Sequence, residues 1–578
     1  MFINSRQAFF QYHGLKPAIS RQALNLISSL LLLSLAFSAQ ATNELSQVAR
    51  TRVAQNRDAD MNFRLEKLVE KPTVRTDSNS TADHTKFEEL KDPFMSGPDV
   101  TRACLKCHTE AGQQFMKNIH WTWTYENKKT GQLLGKKHVV NTFCTNARGN
   151  EGMCAQCHAG YGWKDETFDF NNENNIDCVV CHDRTGTYYK TPPTKGNKDC
   201  SVMFEGKQPI QWSKVAQNVG LPARENCGGC HFYGGGGDGV KHGDLDSSLI
   251  HPVKELDVHM DEAGLNMACT NCHVTKKHVW TGSRYDVIAK DTEGTGKPGQ
   301  RRDVATCESC HSASPHPVSS LANIKLNDHV DRVACQTCHI PTIARGGIAT
   351  KTDWDWRTAG KTKDGEGYKE KNYTQGNGEH RATYKSIKGS FKYGENLVPH
   401  YGWFDGQMIY TTIDTKFDPA SGPVDVNRYT GSADDENSRI WPFKQMHTFQ
   451  PYDKGYNTLV YMHLWGDDQD AYWGNYDFGN AIKTGMEKNN LPYSGEYGFV
   501  ETYSYWPITH MVAPKENALA CGECHAKEGR LKGLDGFYLP GSSSNRWLDI
   551  IGLLALAGTL FGVLGHGLIR FVLNRARK

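Results

Sequence analysis

The pentapeptide Cys-x-x-Cys-His occurs eight times in this 578-residue chain and uses 16 of its 18 cysteines. Its spacing is that of a c-type haem attachment site, in which two thiols bond to one porphyrin and the adjacent histidine ligates the iron. The copies are Cys104, Cys107 and His108; Cys154, Cys157 and His158; Cys178, Cys181 and His182; Cys227, Cys230 and His231; Cys269, Cys272 and His273; Cys307, Cys310 and His311; Cys335, Cys338 and His339; and Cys521, Cys524 and His525. Eight covalently bound haem c groups are therefore expected, with haem filling much of the interior.

The repeats fit no other common use of cysteine. A zinc array would need paired Cys-x-x-Cys units and would give no role to the histidine in the fifth position. A disulfide scaffold would not repeat one spacing eight times, and a thioredoxin-like motif would lie in one βαβ unit. The pattern predicts a redox protein.

Residues 1–41 are typical of a signal peptide. Cationic residues precede an apolar stretch at 23–37, and Ala39-Gln40-Ala41 is a small-x-small cleavage site. Maturation after Ala41 would place the folded chain in a bacterial periplasm. An uncleaved N-terminal anchor is the alternative.

A second apolar stretch, residues 547–573, follows a short polar linker at 541–546. Its core at 550–569 has the roughly 20 residues that a helix needs to cross a bilayer core of about 30 Å. The basic tail at 574–578 is expected in the cytoplasm, since cationic residues flank the cytoplasmic ends of membrane helices. The stretch predicts a single-pass anchor in the inner membrane, with the folded part on the periplasmic face. A buried helix of a globular domain is the alternative.

The charge balance gives no indication of a nucleic-acid partner, and none is expected. The chain has 66 Lys and Arg residues against 64 Asp and Glu. Loss of the signal peptide, which holds three cationic residues and no acidic one, leaves 63 against 64. Haem propionates make the total negative, so proton uptake is expected to accompany reduction.

The motifs divide the chain unevenly. Seven lie in a predicted haem core at 96–345, and the eighth lies in a segment at 506–540. Residues 42–95 are polar and predict an extended lead-in segment, whereas residues 346–505 carry no motif and predict a partly β cap.

Hairpin patterns support the β assignment of the motif-free segment. Two stretches, Ser390–Gly394 and Gly402–Thr411, alternate apolar and polar residues between turn residues. The expected fold is a mainly α multihaem cytochrome c with much irregular structure, a small β-containing insertion and one C-terminal transmembrane helix.

The irons also need ligands on their distal faces. Of 24 histidines, 14 remain after the motif histidines, His13 in the signal peptide and His566 in the apolar span are set aside. The best-placed distal candidates are His120, His242, His259, His278, His316, His329, His447 and His510. An iron with two histidines transfers electrons but binds no substrate, so an enzyme needs at least one iron with a displaceable ligand.

The glycine-rich segment Cys227–Leu245 resembles the octahaem tetrathionate reductase family of c-type cytochromes. Further similarity lies at Asp257–Met260, Asn327–Val330 and Ala513–Asn517, and the resemblance covers roughly residues 100–530. It implies a compact haem array related to hydroxylamine oxidoreductase, and reduction of tetrathionate, nitrite and hydroxylamine. The C-terminal apolar stretch lies outside the resemblance, and the family's described soluble form lacks it.

The resemblance implies an active site at the second haem, which Cys154, Cys157 and His158 would hold. Lys241 would be its distal ligand, and Cys144 would be the cysteine near the same iron. A lysine ligates iron only as the neutral amine, so burial beside a cationic metal must lower its pKa. A displaced amine becomes a proton donor, and a nearby thiolate can attack a sulfane sulfur.

Alternatives remain open for both residues. Lys241 would otherwise be a solvated surface lysine, and Cys144 would otherwise form a disulfide with Cys200, the other cysteine outside the motifs. Competing lysines are Lys190, Lys195 and Lys198. Asp238 and Asp244 are candidate catalytic carboxylates in the glycine-rich segment.

The sequence therefore predicts a membrane-tethered periplasmic reductase of a small inorganic sulfur or nitrogen substrate. A membrane quinol oxidase or a cytochrome b would supply electrons through the histidine-paired haems. A non-enzymatic electron conduit, and an oxidase of hydroxylamine or thiosulfate, are the alternatives. All eight motifs end in histidine, which disfavours the pentahaem nitrite reductases, whose catalytic motif ends in lysine.

Overall fold

A computed structural model describes most of the chain that follows the expected signal peptide. The described residues are 82–91, 93–190, 209–296, 301–466, 468–543 and 545–577. The signal peptide, most of the lead-in segment, Lys195, Lys198 and Cys200 lie outside the described residues.

Helices in the described chain are short apart from the last one. Their bounds are α1 Gly97–Cys107, α2 Ala111–Phe115, α3 Ile119–Thr122, α4 Glu151–Cys154, α5 Val179–His182, α6 Trp212–Gln217, α7 Arg224–His231, α8 Cys269–Cys272, α9 Glu308–His311, α10 Leu321–His329, α11 Cys335–His339, α12 Tyr472–Asn475, α13 Phe478–Glu487, α14 Cys521–Cys524 and α15 Arg546–Ala576. Single 3-10 turns are His84–Lys86, Glu88–Leu90, Ala155–Cys157, Glu173–Asn175, Ser247–Leu249, Trp356–Thr358 and Lys515–Asn517. Every motif lies on or at the start of a helical turn. Residues three apart share one face of a helix, so both thiols of a motif lie on the same face of its turn.

The largest element is a nine-stranded sheet between the seventh and eighth motifs. Strand bounds are β1 Tyr125–Asn127, β2 Gln132–Leu134, β3 Thr275–Lys276, β4 Val279–Trp280, β5 Thr350–Asp355, β6 Thr362–Lys363, β7 Glu366–Gly367, β8 Lys369–Glu370, β9 Tyr373–Thr374, β10 His380–Arg381, β11 Tyr384–Lys385, β12 Gly389–Gly394, β13 His400–Phe404, β14 Met408–Tyr410, β15 Val424–Asp425, β16 Asn427–Tyr429, β17 Arg439–Asp453, β18 Thr458–Leu459 and β19 Tyr497–Pro507. The sheet order is β15-β19-β17-β5-β12-β11-β8, and β13 and β18 also pair with β17.

The strand β17 is the axis of this sheet. It pairs antiparallel with β19, from Phe443 opposite Pro507 to Asp453 opposite Tyr497. On its other edge, β5 runs parallel to it. The parallel pairing requires a long connection between the two strands, because antiparallel neighbours alone can be joined by a tight turn.

The sheet buries the main apolar core of the described chain. In β19, alternate residues from Val500 to Trp506 are buried, as expected for a strand with one covered face. Helix α13 adds Ile482 and Met486 to the same core. Burial of one large apolar side chain stabilises the fold by about 1.5–3 kcal/mol, so this core is the main rigid support of the molecule.

The same core holds the two chain segments that the sequence singled out. Phe143, the neighbour of Cys144, packs in the core, and Cys144 itself is half-buried against it. Val240, the neighbour of Lys241, is also a core residue. The sheet therefore fixes the backbone at both candidate positions.

The expectation of a mainly α fold is not confirmed. Apart from the last helix, the helices of the described chain have between 4 and 11 residues, and the largest element is the sheet. The physical reason is that residues between the seventh and eighth motifs are rich in aromatic residues at alternating positions, which favour strands.

One helix in the described chain is long and apolar enough to cross a membrane. It spans Trp547–Ala576 with a mean hydropathy of 2.0, and none of its most apolar window is buried against the protein. Asn545 caps its start by accepting a hydrogen bond from Trp547 N at 3.1 Å. The helix matches the apolar stretch expected at 547–573.

Candidate haem-binding and redox site

Six motif histidines face a second histidine across a gap of nearly constant width. Ring centroids are separated by 6.3 Å for His84 and His108, 6.0 Å for His120 and His231, 6.1 Å for His259 and His311, 6.2 Å for His273 and His510, 6.4 Å for His316 and His339, and 6.0 Å for His329 and His525. A metal–imidazole bond of about 2 Å on each side, together with two half-rings, gives a separation of about 6 Å. Each pair therefore fits one iron between its rings.

Eight of the motif and candidate distal histidines have a hydrogen bond at Nδ1, which leaves Nε2 available. Among motif histidines, Nδ1 donates to the carbonyls of Gly220 (2.8 Å from His182), Thr281 (3.1 Å from His273) and Pro540 (3.1 Å from His525). Among distal candidates, Nδ1 donates to a side-chain amide oxygen in three cases: His120 to Asn118 at 3.0 Å, His278 to Gln114 at 3.2 Å, and His316 to Asn327 at 3.2 Å. Nδ1 of His329 donates to the Lys325 carbonyl at 2.5 Å, and Nδ1 of His510 donates to the Asp244 carboxylate at 3.1 Å. An oxygen on Nδ1 fixes the ring and leaves Nε2 bare, as metal-bound histidines require. The donor set fits haem c.

The third motif histidine, His182, has no ring partner at this spacing among the described residues. Burial lowers its pKa, the Gly220 carbonyl opposes this, and His278 lowers the pKa further. His278 is thus close enough to act on His182 electrostatically, and its own Nδ1 is held by Gln114. His108 and His84 act on His182 in the same way, but they face each other, so His278 is the candidate left for the third motif.

His84 is a distal candidate that the sequence patterns did not indicate. Residues 42–95 predict an extended segment, whereas His84 lies on a 3-10 turn opposite His108. Asp83 caps this turn by accepting from Thr85 N at 3.1 Å. An Asp or Asn one or two positions earlier also precedes His120, His259 and His329. This local pattern is the signal that would have identified His84.

Two expected distal ligands lie elsewhere. His447 is on β17, where Nδ1 contacts Asp353 at 3.1 Å and Nε2 contacts Glu501 at 2.8 Å. A ring with both nitrogens engaged has none left for iron, so we correct the prediction that His447 is a ligand. His242 is adjacent to Lys241 and faces no motif histidine among the described ring contacts.

The second motif differs from the others. His158 is fully buried, its Nε2 donates to the Trp121 carbonyl at 2.7 Å, and its Nδ1 has no partner in the described chain. The surrounding rings are those of Trp121, Trp123, Trp163, Phe168 and Phe170. Burial, and then Lys190, lowers the pKa of His158 to about 3. The ring is therefore neutral, the form that ligates a metal, and it must turn from the Trp121 carbonyl to present Nε2.

A buried lysine fixes the backbone at Lys241. The amine of Lys444 donates to the carbonyls of Val240 and Lys241, each at 2.8 Å, and to Thr350 Oγ1 at 2.6 Å. Lys444 lies on β17 and Thr350 on β5, so the two central strands hold the end of the glycine-rich segment. Lys241 is positioned by the sheet.

The Lys241 amine lies in a cationic neighbourhood beside the second motif. Burial, then Arg284 and Lys136, lowers its pKa well below the ordinary value, and the Cys157 thiol opposes this shift. The amine is thus biased toward the neutral form. This is the state in which a lysine can ligate a metal.

The described competitor, Lys190, is engaged in structural contacts. Its amine forms an ion pair with Asp177 at 3.2 Å and donates to the Gly160 carbonyl at 2.8 Å. It also donates to the His158 carbonyl. An amine with three acceptors supports the backbone around His158 and is not free to act as a distal ligand.

Cys144 lies beside the second motif on a loop with a defined conformation. Asn141 Oδ1 accepts from Phe143 N at 2.9 Å and from Cys144 N at 3.1 Å. Burial raises the pKa of Cys154 to about 12, and Cys144 is one of the groups that raise it. Lys241 and Cys144 therefore both neighbour the thiols of one motif.

The two candidate carboxylates have structural partners instead. Asp238 accepts from Ser247 N at 2.9 Å and from the Ser247 hydroxyl. Asp244 accepts from Thr509 N at 2.9 Å, from His510 N at 3.0 Å and from His510 Nδ1 at 3.1 Å. Asp244 therefore orients the His510 ring, and Asp238 closes the glycine-rich segment. We no longer assign either a catalytic role.

Thiol contacts join motifs that are distant in sequence. Thiols that shift each other's pKa are Cys104 with Cys178, Cys157 with Cys230, Cys227 with Cys269, and Cys307 with Cys335. Electrostatic neighbours are Cys272 with Cys310 and Cys338 with Cys524. The motifs therefore form a continuous row that runs from the eighth motif to the fourth, next to the second.

Comparisons with known proteins cover both the haem core and the sheet. The family "Cytochrome c554 and c-prime" matches residues 103–183 and 268–340, and the family "Cytochrome c bacterial" matches residues 351–528. The solved octaheme cytochrome c of Shewanella oneidensis is 39% identical with a TM-score of 0.67, over 79% of this chain and 97% of that chain. An uncharacterized protein of Archaeoglobus fulgidus is 24% identical over 257 residues, 37% of this chain and 84% of that protein.

Proposed function

Because the chain belongs to a multihaem c-type cytochrome family related to octahaem tetrathionate reductase, we propose that it is a membrane-tethered reductase of small oxidised sulfur or nitrogen species. The chain binds haem c covalently and is therefore a redox protein. We assign one haem to each of the eight motifs and the active site to the second. The candidate substrates are tetrathionate, nitrite and hydroxylamine.

Seven motifs would hold haem between two histidines. The facing pairs and the assigned pair of His182 with His278 supply both ligands. Bound haem supplies one-electron transfer, and an iron with two imidazole ligands offers no position to a substrate. These seven groups would carry electrons along the row of motifs.

The observation that carries the proposal is the pair of side chains at the second motif. Lys241 neighbours Cys157, and Cys144 neighbours Cys154. In the described chain no histidine ring faces His158 across the gap seen at six other motifs. The third motif also lacks a facing ring, but His278 is its assigned partner. The Lys241 amine would therefore hold the distal position of the second haem, where a weak ligand can give way to substrate.

The chemistry of these two groups suits tetrathionate. The Cys144 thiolate attacks an inner sulfur of tetrathionate, which breaks the central S–S bond, releases one thiosulfate and leaves Cys144–S–S–SO₃⁻. Two electrons from the row of motifs then cleave the new S–S bond, release the second thiosulfate and restore the thiolate. With nitrite or hydroxylamine, the released Lys241 amine takes up a proton at Nζ and donates it to the product.

The electron supply would come from the membrane. The helix Trp547–Ala576 would hold the folded part at the periplasmic face of the inner membrane, with the basic tail in the cytoplasm. A membrane quinol oxidase or a cytochrome b would then reduce the row of haems.

Turnover with reduced methyl viologen tests the proposed function. The full-length protein is assayed against each candidate substrate, and it should oxidise the dye with at least one. Cys144→Ser should reduce tetrathionate turnover far more than nitrite turnover, because only the former needs sulfur exchange. Failure to oxidise the dye with all three substrates would contradict the proposal.

A non-enzymatic electron conduit is the second candidate function. The observation that favours it is the set of six facing histidine pairs, which suits electron transfer alone. A conduit would need a strong ligand at the second haem, and His242 is the adjacent histidine. Dye oxidation in the presence of substrate, lost in Lys241→Ala, would exclude it.

A further inference from the structure

A buried cation lies near Cys144 with no anionic partner. Lys351 is only 4% exposed, and its amine lies 3.4 Å from the ring centroid of Phe391 and 4.0 Å from that of Trp354. Tyr393 completes the aromatic surroundings at 5.7 Å. In the described part of the chain no hydrogen bond or ion pair joins this amine to another group. A buried ammonium without an anion or acceptor is costly unless another group supplies the missing charge.

Further lysines converge on the same place. Burial, then Lys388, lowers the pKa of Lys351 well below the ordinary value, and Lys385 and Lys444 act in the same direction. Cys144 is the group that opposes them. The largest electrostatic effects on Lys351 thus come from three lysines and one thiol, so cations predominate among them.

The cluster also borders the glycine-rich segment. The Lys388 amine lies 5.0 Å from the ring centroid of Trp473 and 3.2 Å from the position that a Cβ on Gly236 would take. At the other end of the segment, a Cβ on Gly234 would lie 3.4 Å from the Lys241 side chain. Gly236 has a φ of +93°, which L side chains rarely adopt. Bare backbone therefore separates the cationic cluster from Lys241.

We infer that Lys351, Lys385 and Lys388 form an anion-binding subsite beside Cys144, which takes the sulfonate group of a doubly charged sulfur oxyanion. The inference rests on the proposed function and narrows it. Hydroxylamine is uncharged at neutral pH and gains nothing from the lysines, and nitrite carries one charge. A dianion such as tetrathionate would supply the missing countercharge and place its sulfane sulfurs near the Cys144 thiol. The structure thus favours sulfur oxyanions as the substrate class.

Binding to this subsite should be coupled to proton uptake. The Lys351 amine is biased toward the neutral form in the free protein, and an anion beside it favours the ammonium. The groups that face it are Lys385, Lys388, Lys444 and Cys144. An anion that binds there should therefore favour proton uptake by Lys351.

Calorimetric titration with an inert dianion tests the inference without turnover. The probe is dithionate, S₂O₆²⁻, which does not reduce haem, unlike its relative dithionite, S₂O₄²⁻. It is added to the oxidised full-length holoprotein in two buffers of different ionisation enthalpy. The parent should bind S₂O₆²⁻ with proton uptake. Lys351→Met and Lys388→Gln should each weaken binding by about tenfold or more, because each removes one cation from a partly buried charge cluster. Lys351→Met should also lose the proton uptake.

The matched control is Lys392→Gln. Lys392 lies on the neighbouring strand β12 with a side chain that is 79% exposed and an ion pair to Asp353 at 3.7 Å, so its loss should leave S₂O₆²⁻ binding unchanged. Haem absorbance and thermal unfolding check that each variant is folded. If Lys351→Met does not fold, the inference is tested with Lys388→Gln alone. No S₂O₆²⁻ binding by the parent, or equal dissociation constants for parent and both variants, would overturn the inference. Either result can occur with dye oxidation intact, so it is distinguishable from failure of the proposed function.

Discussion

Single buried side chains determine the geometry around the second motif. Lys444 ties the backbone of Val240 and Lys241 to the sheet, and Asp244 holds the His510 ring. Both act through other residues, Lys444 through the Lys241 backbone and Asp244 through the His510 ring. The most sensitive positions should therefore include residues that never touch haem.

Lys444→Met should destabilise the protein and alter the second haem. The change removes three hydrogen bonds. The Lys241 carbonyl loses its Lys444 donor, whereas the Val240 carbonyl keeps longer bonds from Lys351 N and Thr350 Oγ1, each at 3.4 Å. A buried group left unsatisfied costs about 1–3 kcal/mol. Urea unfolding should show the loss, and the visible spectrum should show a change at one haem. The exposed variant Lys392→Met is the control, and equal stability of the two variants would contradict the role of Lys444.

Asp246 should give the protein a pH-dependent stability. Burial raises its pKa from 3.8 to about 7, and hydrogen bonds from Ser248 oppose the shift. Between these two values the folded protein binds a proton that the unfolded chain releases, so the free energy of unfolding should fall as pH rises from about 4 to about 7. Above that range the penalty is constant.

Asp246→Asn keeps the acceptor oxygen for Ser248 but has no charge to bury. Its melting temperature should exceed that of the parent at pH 8, with a smaller difference at pH 4.5. Asp434→Asn, at an exposed position, should track the parent at both pH values. A parallel pH profile for Asp246→Asn and the parent would show that Asp246 is not responsible.

At the scale of elements, the loop that carries Cys144 meets the glycine-rich segment at one close contact, between Phe143 and Gly235. Gly235 has a φ of +83°, and a Cβ there would lie 2.9 Å from the ring of Phe143, next to Cys144. The close approach of ring and backbone fixes the loop that carries the thiol. A side chain at this position would have to displace the ring.

Gly235→Ala should therefore lower the free energy of unfolding by more than the backbone strain alone would. It should also lower tetrathionate turnover. Gly378→Ala is the matched control, since Gly378 has a φ of +87° and open space around its Cβ position. Each substitution imposes about 1–2 kcal/mol of left-handed strain, so the difference in unfolding free energy isolates the Phe143 contact. Equal losses of unfolding free energy in the two variants would mean that the Phe143 ring moves aside without cost, which would contradict the prediction.

Local sequence patterns predicted the haem-attachment segments, whereas they did not predict contacts between residues that are far apart in the sequence. Each Cys-x-x-Cys-His unit is self-contained, and the alternation at Ser390–Gly394 matches strand β12. The parallel pairing of β5 with β17 joins strands separated by a long stretch of chain, so no local signal specifies it. The same is true of Lys351 and Lys388, which reach Cys144 only through the sheet.

At the scale of the whole molecule, the eighth motif is adjacent to the tether. His525 Nδ1 donates to the Pro540 carbonyl at 3.1 Å, and the apolar helix begins a few residues later. The row of thiol contacts leads from this motif toward the second one. Under the proposed function, electrons from a membrane partner would be taken up at the eighth haem.

Truncation after Gly541 should release the protein from membranes with its haems intact. The cut keeps Pro540 and thus the hydrogen bond to His525, and the removed helix is exposed along its length. Fractionation and the haem-to-protein ratio provide the measurement. Truncated protein that still sediments with washed membranes would mean that another surface is the main tether.

The central claim is that the Lys241 amine, and no histidine, completes the second haem. Electron paramagnetic resonance of the oxidised full-length protein tests it most directly, with Lys241→Ala beside the parent and Lys392→Ala as the control. The parent should show one low-spin species distinct from the histidine-paired haems. Lys241→Ala should convert that species alone to a high-spin or water-ligated signal, and Lys392→Ala should match the parent. An unchanged spectrum in Lys241→Ala, with every low-spin signal of the histidine-paired type, would contradict the account.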